Sequence, residues 1–196
     1  MSMVTIAELA PTGLPQGVSG VQLTARGTNF KDYGRLRVRF VGKSTTLTVA
    51  ATLPDAGTSQ LLTTAPYSNP TDAPGKVGVE LSLNGQTFTS SGVSFDAYTA
   101  SLHSGFPAGG PIGAGMALTL TGTGFVTLGT SVARCFFMPI NADGSLTGGA
   151  ELLAAANVAS VTQALCDAPS AISGGLYRAT LSLNGGYTRV PLYFSA

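Results

Sequence analysis

Few side chains in this chain are of a type and spacing that could carry chemistry, and each has a plainer use. His103 is the only histidine in 196 residues, which removes any two-histidine metal centre and leaves little from which to build a serine–histidine–aspartate relay. Its expected place is the surface near a junction between two halves of the chain, bonded to backbone. The run NADGSLTGGAE at 141–151 has the look of a calcium loop. It lacks the carboxylates at alternate positions and the closing bidentate glutamate that such a loop needs, so it reads as a long connection after a strand. RLRVRF at 35–40 sets Arg35, Arg37 and Arg39 on one face of a strand, with Leu36, Val38 and Phe40 on the other. Such a row could dock an acidic partner. No catalytic residue, metal ligand or cofactor site is expected.

The elements that would position these residues are strands. Hydrophobic residues make up 44% of the chain and charged ones 10%, enough apolar material for a core and too little charge for disorder. Glycine (26) and proline (11) separate short runs of Val, Leu, Thr and Phe, the texture of an all-β protein. Only ELLAAA, Glu151–Ala156, reads as helical. A formal charge of +1 without a basic tract argues against nucleic acid as a partner. No apolar run reaches the ~18 residues of a bilayer span, so no membrane insertion is expected, and MSMVTIAELAP lacks the regions of a signal peptide. The best candidate glycosylation triplet fails because Pro70 follows Asn69. With two cysteines only, these features point to a cytoplasmic or cytoskeletal protein, with an extracellular one as the alternative.

Internal repetition settles the domain organisation. LSLNG occurs at 81–85 and again at 181–185, each time after alternating apolar and polar residues. Asn-Gly favours the positive φ angles of a tight turn, so each is expected to form a β-hairpin, with Val77, Val79, Leu81 and Leu83 inward in the first and Tyr177, Ala179, Leu181 and Leu183 inward in the second. Upstream, VQLTARGTNF (21–30) matches MALTLTGTGF (116–125), each closed by Gly-Thr-x-Phe, and LLTTAP (61–66) matches ALCDAP (164–169). The order is preserved throughout, so the chain is a tandem duplication, with domains at 1–98 and 99–196. Almost no linker remains between them, and the two are expected to abut. About seven alternating segments per unit predict an antiparallel sandwich of the immunoglobulin type. Its third strand would then lie beside the one carrying Glu80, which would neutralise part of the arginine row.

Gly27-Thr28-Asn29-Phe30, Gly122-Thr123-Gly124-Phe125, the two segments ending in Ala-Pro and both LSLNG stretches resemble the IPT/TIG domain, an immunoglobulin-like module shared by plexins and Rel-type transcription factors. The resemblance covers nearly the whole chain. It implies two tandem E-set-type sandwiches and a part in interaction or spacing, with no catalytic residue. In receptor-type members a cysteine placed as Cys166 is joined to one further upstream. Here the other thiol, Cys135, lies within the third strand, and the first unit has Val38 and Thr63 at the matching places. Two free buried thiols are the expectation from composition. A bond is the alternative and would contribute about 3.5–4 kcal/mol by the chain-entropy relation.

Strand register nominates one more surface. In SVARCFFMP (131–139), alternation puts Ala133, Cys135 and Phe137 inside and turns Arg134, Phe136 and Met138 outward. With Tyr193 on the last strand, Phe136 and Met138 would form an exposed apolar patch of the kind that marks partner surfaces, unless the 139–150 insertion or the first domain covers it. The expected function is a non-catalytic spacer and protein-interaction segment of a larger, cytoskeletal protein that binds a protein partner or self-associates. The alternative is an accessory carbohydrate-binding or adhesion module of a secreted or cell-surface protein.

Overall fold

In a computed structural model the chain divides into two compact units, Met1–Tyr98 and Thr99–Ala196. The structure describes residues 3–190 apart from 55–58, 66–73, 112, 114, 129–131 and 171–172. Every regular element among the described residues is a strand.

The first unit contains β1 (Thr5–Ala10), β2 (Gly13–Pro15), β3 (Gln22–Thr28), β4 (Arg37–Val41), β5 (Thr46–Thr52), β6 (Gln60–Thr64), β7 (Gly75–Ser82) and β8 (Ser94–Tyr98). One layer is β1-β3-β6; the other is β4-β7-β8, with β2 added parallel to β8 at its edge. β5 crosses between them, pairing with β4 through Thr46–Ala50 and with β6 through Ala51 and Thr52. Alternation along each strand sends Leu23, Ala25 and Leu61 from the first layer against Val38, Phe40, Val79, Leu81, Phe95 and Ala97 from the second.

The second unit repeats the plan with β9 (Ser101–Phe106), β10 (Met116–Thr123), β11 (Arg134–Ile140), β12 (Leu152–Ser160), β13 (Gln163–Ala168) and β14 (Leu176–Ser182). β9-β10-β13 and β11-β14 are its layers, and β12 crosses from β11 to β13. Each unit is thus an immunoglobulin-like sandwich. The helical reading of Glu151–Ala156 is corrected: Leu152–Ser160 is strand, alternately half-buried and exposed. Six helix-favouring residues are too few to nucleate a stable helix in isolation, and backbone pairing with two neighbouring strands outweighs their propensity.

The repeated words now have physical content. In Gly-Thr-x-Phe the first glycine is not at a turn. A Cβ on Gly27 would run into the Thr5 carbonyl of β1 and stand 2.7 Å from the Phe30 ring, and one on Gly122 would meet the Ser101 carbonyl and, at 2.5 Å, the Phe125 ring. Glycine is there because an edge strand and a fully buried ring both close on it. The left-handed turn falls at the next variable position, on Asn29 (φ 61°) and Gly124 (φ 69°).

LSLNG is likewise not the tight Asn-Gly turn expected of it, since in each copy the glycine, Gly85 or Gly185, has positive φ and the asparagine before it does not, whereas a two-residue type I′ turn needs both. The connection is longer and is organised by the asparagine side chain. Asn84 Oδ1 accepts from the Ser82 hydroxyl and from the Gln86 and Thr87 N–H groups. Asn184 Oδ1 accepts from the Ser182 hydroxyl and the Thr188 N–H, both at 3.0 Å. Leu81 and Leu181 anchor the core beside it. Asn184 is buried whereas Asn84 is exposed, so their truncation should differ in cost. Both truncations strand a fully buried serine hydroxyl, Ser82 or Ser182, but the Gln86 and Thr87 N–H groups released by Asn84→Ala are on exposed residues where water substitutes. Asn184→Ala is therefore expected to cost about 2–3 kcal/mol, against about 1–2 kcal/mol for Asn84→Ala. Urea melts of the two variants compare these costs, and equal costs would mean the asparagine network does not organise the second loop.

Candidate docking surfaces

On the outer face of β4, register sets Arg39 opposite Glu80. Arg39 Nε donates to Glu80 Oε2 at 2.6 Å, a second guanidinium nitrogen contacts the same oxygen, and the guanidinium lies 4.1 Å from the centre of the Phe88 ring. Arg39 is therefore committed within the sheet. Arg35 and Arg37 are exposed and make no ion pair among the described residues. The row of three reduces to two available cations.

The Phe136 patch needs correction. Its register is as the alternation predicts, with Ala133, Cys135 and Phe137 in the core, but Phe136 on the opposite side is only 4% exposed. The Arg189 guanidinium covers its ring and is held there by Glu151, whose carboxylate oxygens lie 3.1 and 3.2 Å away. Partial burial pulls the Arg189 pKa below its ordinary value, against the opposing pull of Glu151. Met138 is half-buried and lies opposite Arg178, which donates to the Gly144 carbonyl in the 141–151 loop. Tyr193 lies outside the described residues.

The same device protects both units with its parts exchanged. Val38 opposite Leu81 and Cys135 opposite Leu181 align β4 with β11, so Arg39 and Phe136 occupy one position. The N–H groups of Thr89 and Val190 bond to those two leucine carbonyls, so Phe88 and Arg189 occupy another. The strand carries the cation and the loop the ring in the first unit, and the reverse holds in the second. A cation over a ring shields the outer sheet face in each case.

Cys135 and Cys166 are bonded, across 31 residues with Cα atoms 6.2 Å apart, within the usual range for a disulfide. This corrects the expectation of free thiols. Cys135 on β11 and Cys166 on β13 face each other through the core, so the bond ties one layer to the other. His103 is exposed on β9, and its Nε2 is 2.9 Å from the Ser101 hydroxyl, a side chain and not the backbone partner expected. Ser101 is shared with Thr123. The 141–151 loop satisfies itself: Asp143 Oδ1 accepts from the Ser145 hydroxyl and N–H, which hold its carboxyl below the usual range. No group of three potential metal-binding side chains occurs among the described residues.

A feature that strand patterning did not reveal lies at one end of the first unit. The start of β1, the loop after β3 and the loop after β7 enclose a groove of about 910 Å³. Met3, Val4, Leu83 and Phe88 give it apolar walls, fully buried Phe30 its floor, and Lys31 a charged lip. The Asn29 amide donates to the Met3 carbonyl at 2.9 Å and pins the N-terminal wall. The signal in the sequence was topological: strands antiparallel to one another bring the ends of β3 and β7 and the start of β1 to one end of a sandwich.

No family model and no curated protein matches the sequence. Among solved structures the chain is similar to the plexin A4 full extracellular region. With domains 1 to 10 the TM-score is 0.54 at 16% identity, covering 94% of this chain and 15% of that one. With domains 1 to 8 it is 0.51 at 18% identity, covering 96% and 17%. The resemblance to tandem IPT/TIG modules read from the motifs is thereby borne out at the level of the fold, over a small part of those chains' length.

Proposed function

We propose that this chain is a non-catalytic adhesion or interaction module of a secreted or cell-surface protein. The observation that carries the reading is the Cys135–Cys166 bond across the core, because disulfides persist in oxidising compartments and are rare in the cytosol. The fold shared with an extracellular region supports it. The cytoskeletal reading draws no support from either observation. On a rigid sandwich, specificity belongs to loops and strand faces, and the described residues offer a groove with cations beside it.

Labelled tandem protein, oxidised and intact, is expected to bind unpermeabilised cells of its source saturably and to be displaced by unlabelled protein. A glycan panel run in parallel separates a sugar ligand from a protein one. Absence of saturable binding to intact cells, with binding only after permeabilisation, would overturn the reading.

A further inference from the structure

The groove in the first unit has two properties that converge on one kind of occupant. Its apolar volume lies within the range of ligand-binding clefts, and Val4, Leu83 and Phe88 can receive an apolar side chain.

Its rim is cationic. Lys31 lies on the lip, with its ammonium 5.3 Å from the centre of the Tyr33 ring. Arg35, just before β4, and Arg37, its first residue, pass beside the loop that forms the opposite wall. A Cβ on Gly85, next to groove-lining Asn84, would stand 3.3 Å from the Arg35 carbonyl and 3.9 Å from Arg37 Cγ. The neighbouring carboxylate, Asp32, accepts the Gly34 N–H at 2.6 Å. Lys31 thus lines the groove while Arg35 and Arg37 flank the loop behind its wall, and none of the three forms an ion pair among the described residues.

We propose that this groove takes an extended acidic segment of a protein partner, with an apolar side chain seated among Val4, Leu83 and Phe88 and flanking carboxylates on Lys31, Arg35 and Arg37. A buried apolar anchor supplies affinity, and charge complementarity at the rim supplies orientation and association rate. A neutral apolar peptide leaves the rim unpaired, and an acidic peptide without an anchor leaves the groove unfilled. The proposal rests on the interaction reading above and assigns it a surface and a partner chemistry.

The test is fluorescence anisotropy on the intact tandem chain with a labelled hexapeptide, in which leucine and phenylalanine are flanked on each side by two acidic residues. Binding is expected, weakening several-fold as salt rises from about 50 to about 300 mM. It is also expected to weaken about tenfold or more when amides replace the acids, when serines replace the leucine and phenylalanine, and in the Lys31→Glu/Arg35→Glu variant. Both substituted residues are exposed, so the variant should melt as the parent does. No binding at about 1 mM peptide, equal binding of the serine peptide, or undiminished binding by the variant would each overturn the proposal. If the variant still binds intact cells as the parent does, the groove assignment fails while the adhesion reading stands; if the parent binds no cells, the broader reading fails.

Discussion

Gly122→Ala is expected to destabilise the second unit by about 3 kcal/mol or more, a large part of the 5–15 kcal/mol that holds a typical domain together. The added methyl has nowhere to go. On one side is the Ser101 carbonyl of edge strand β9, on the other the Phe125 ring, and that ring is 1% exposed with no room to retreat. Relief requires β9 to detach or Phe125 to leave the core, and emptying a buried phenylalanine site costs about 3–5 kcal/mol by itself. For a unit of this size the midpoint should fall by on the order of 10–20 °C. Gly109→Ala is the control, because a Cβ there meets nothing within 4 Å and the residue does not have positive φ. Thermal melts of the two variants decide the matter. Equal midpoints would mean that Gly-Thr-x-Phe recurs for some reason other than this close approach.

That motif also marks how far the sequence could be read. Alternation and duplication were enough for the sandwich, for the inward residues of β7 and for the register of β11, because a period-2 pattern with one buried face admits only one register. What alternation could not supply was anything that depends on a side chain from elsewhere. Phe136 points outward as its register demands, yet Arg189, 53 positions later by subtraction of the residue numbers, lies over it. The alanines of 151–156 carry a helical preference that only pairing with β11 and β13 overrides. Asn-Gly suggested a short turn, while the buried Asn184 carbonyl makes a longer connection stable by gathering donors from Ser182 and Thr188. The groove was invisible for the same reason: its walls come from the start of β1 and two loops that meet only when the sheets are built.

The disulfide carries the second large effect, and the first unit serves as its natural control. Val38, fully buried, stands where Cys135 does, and Thr63 stands where Cys166 does, its hydroxyl donating to the Ala50 carbonyl at 3.0 Å. The register Ala51–Thr63 matches Ala156–Cys166, so a threonine placed at 166 would find the Ala155 carbonyl in the same relation. Cys135→Val with Cys166→Thr should therefore fold with a filled core and a satisfied hydroxyl, losing only the cross-link. The expected loss is about 3.5–4 kcal/mol from the second unit, the entropy released when a 31-residue separation is no longer closed in the unfolded chain, and the first unit should be unaffected. Reduction of the parent protein should produce a loss of similar size. Denaturant melts measure both, and a thiol titration of the unfolded, unreduced protein from its source should find no free groups. Two free thiols would remove the chief support for an extracellular location. A bonded pair whose replacement costs less than about 1 kcal/mol would mean that the unfolded second unit is already compact enough for the cross-link to constrain little.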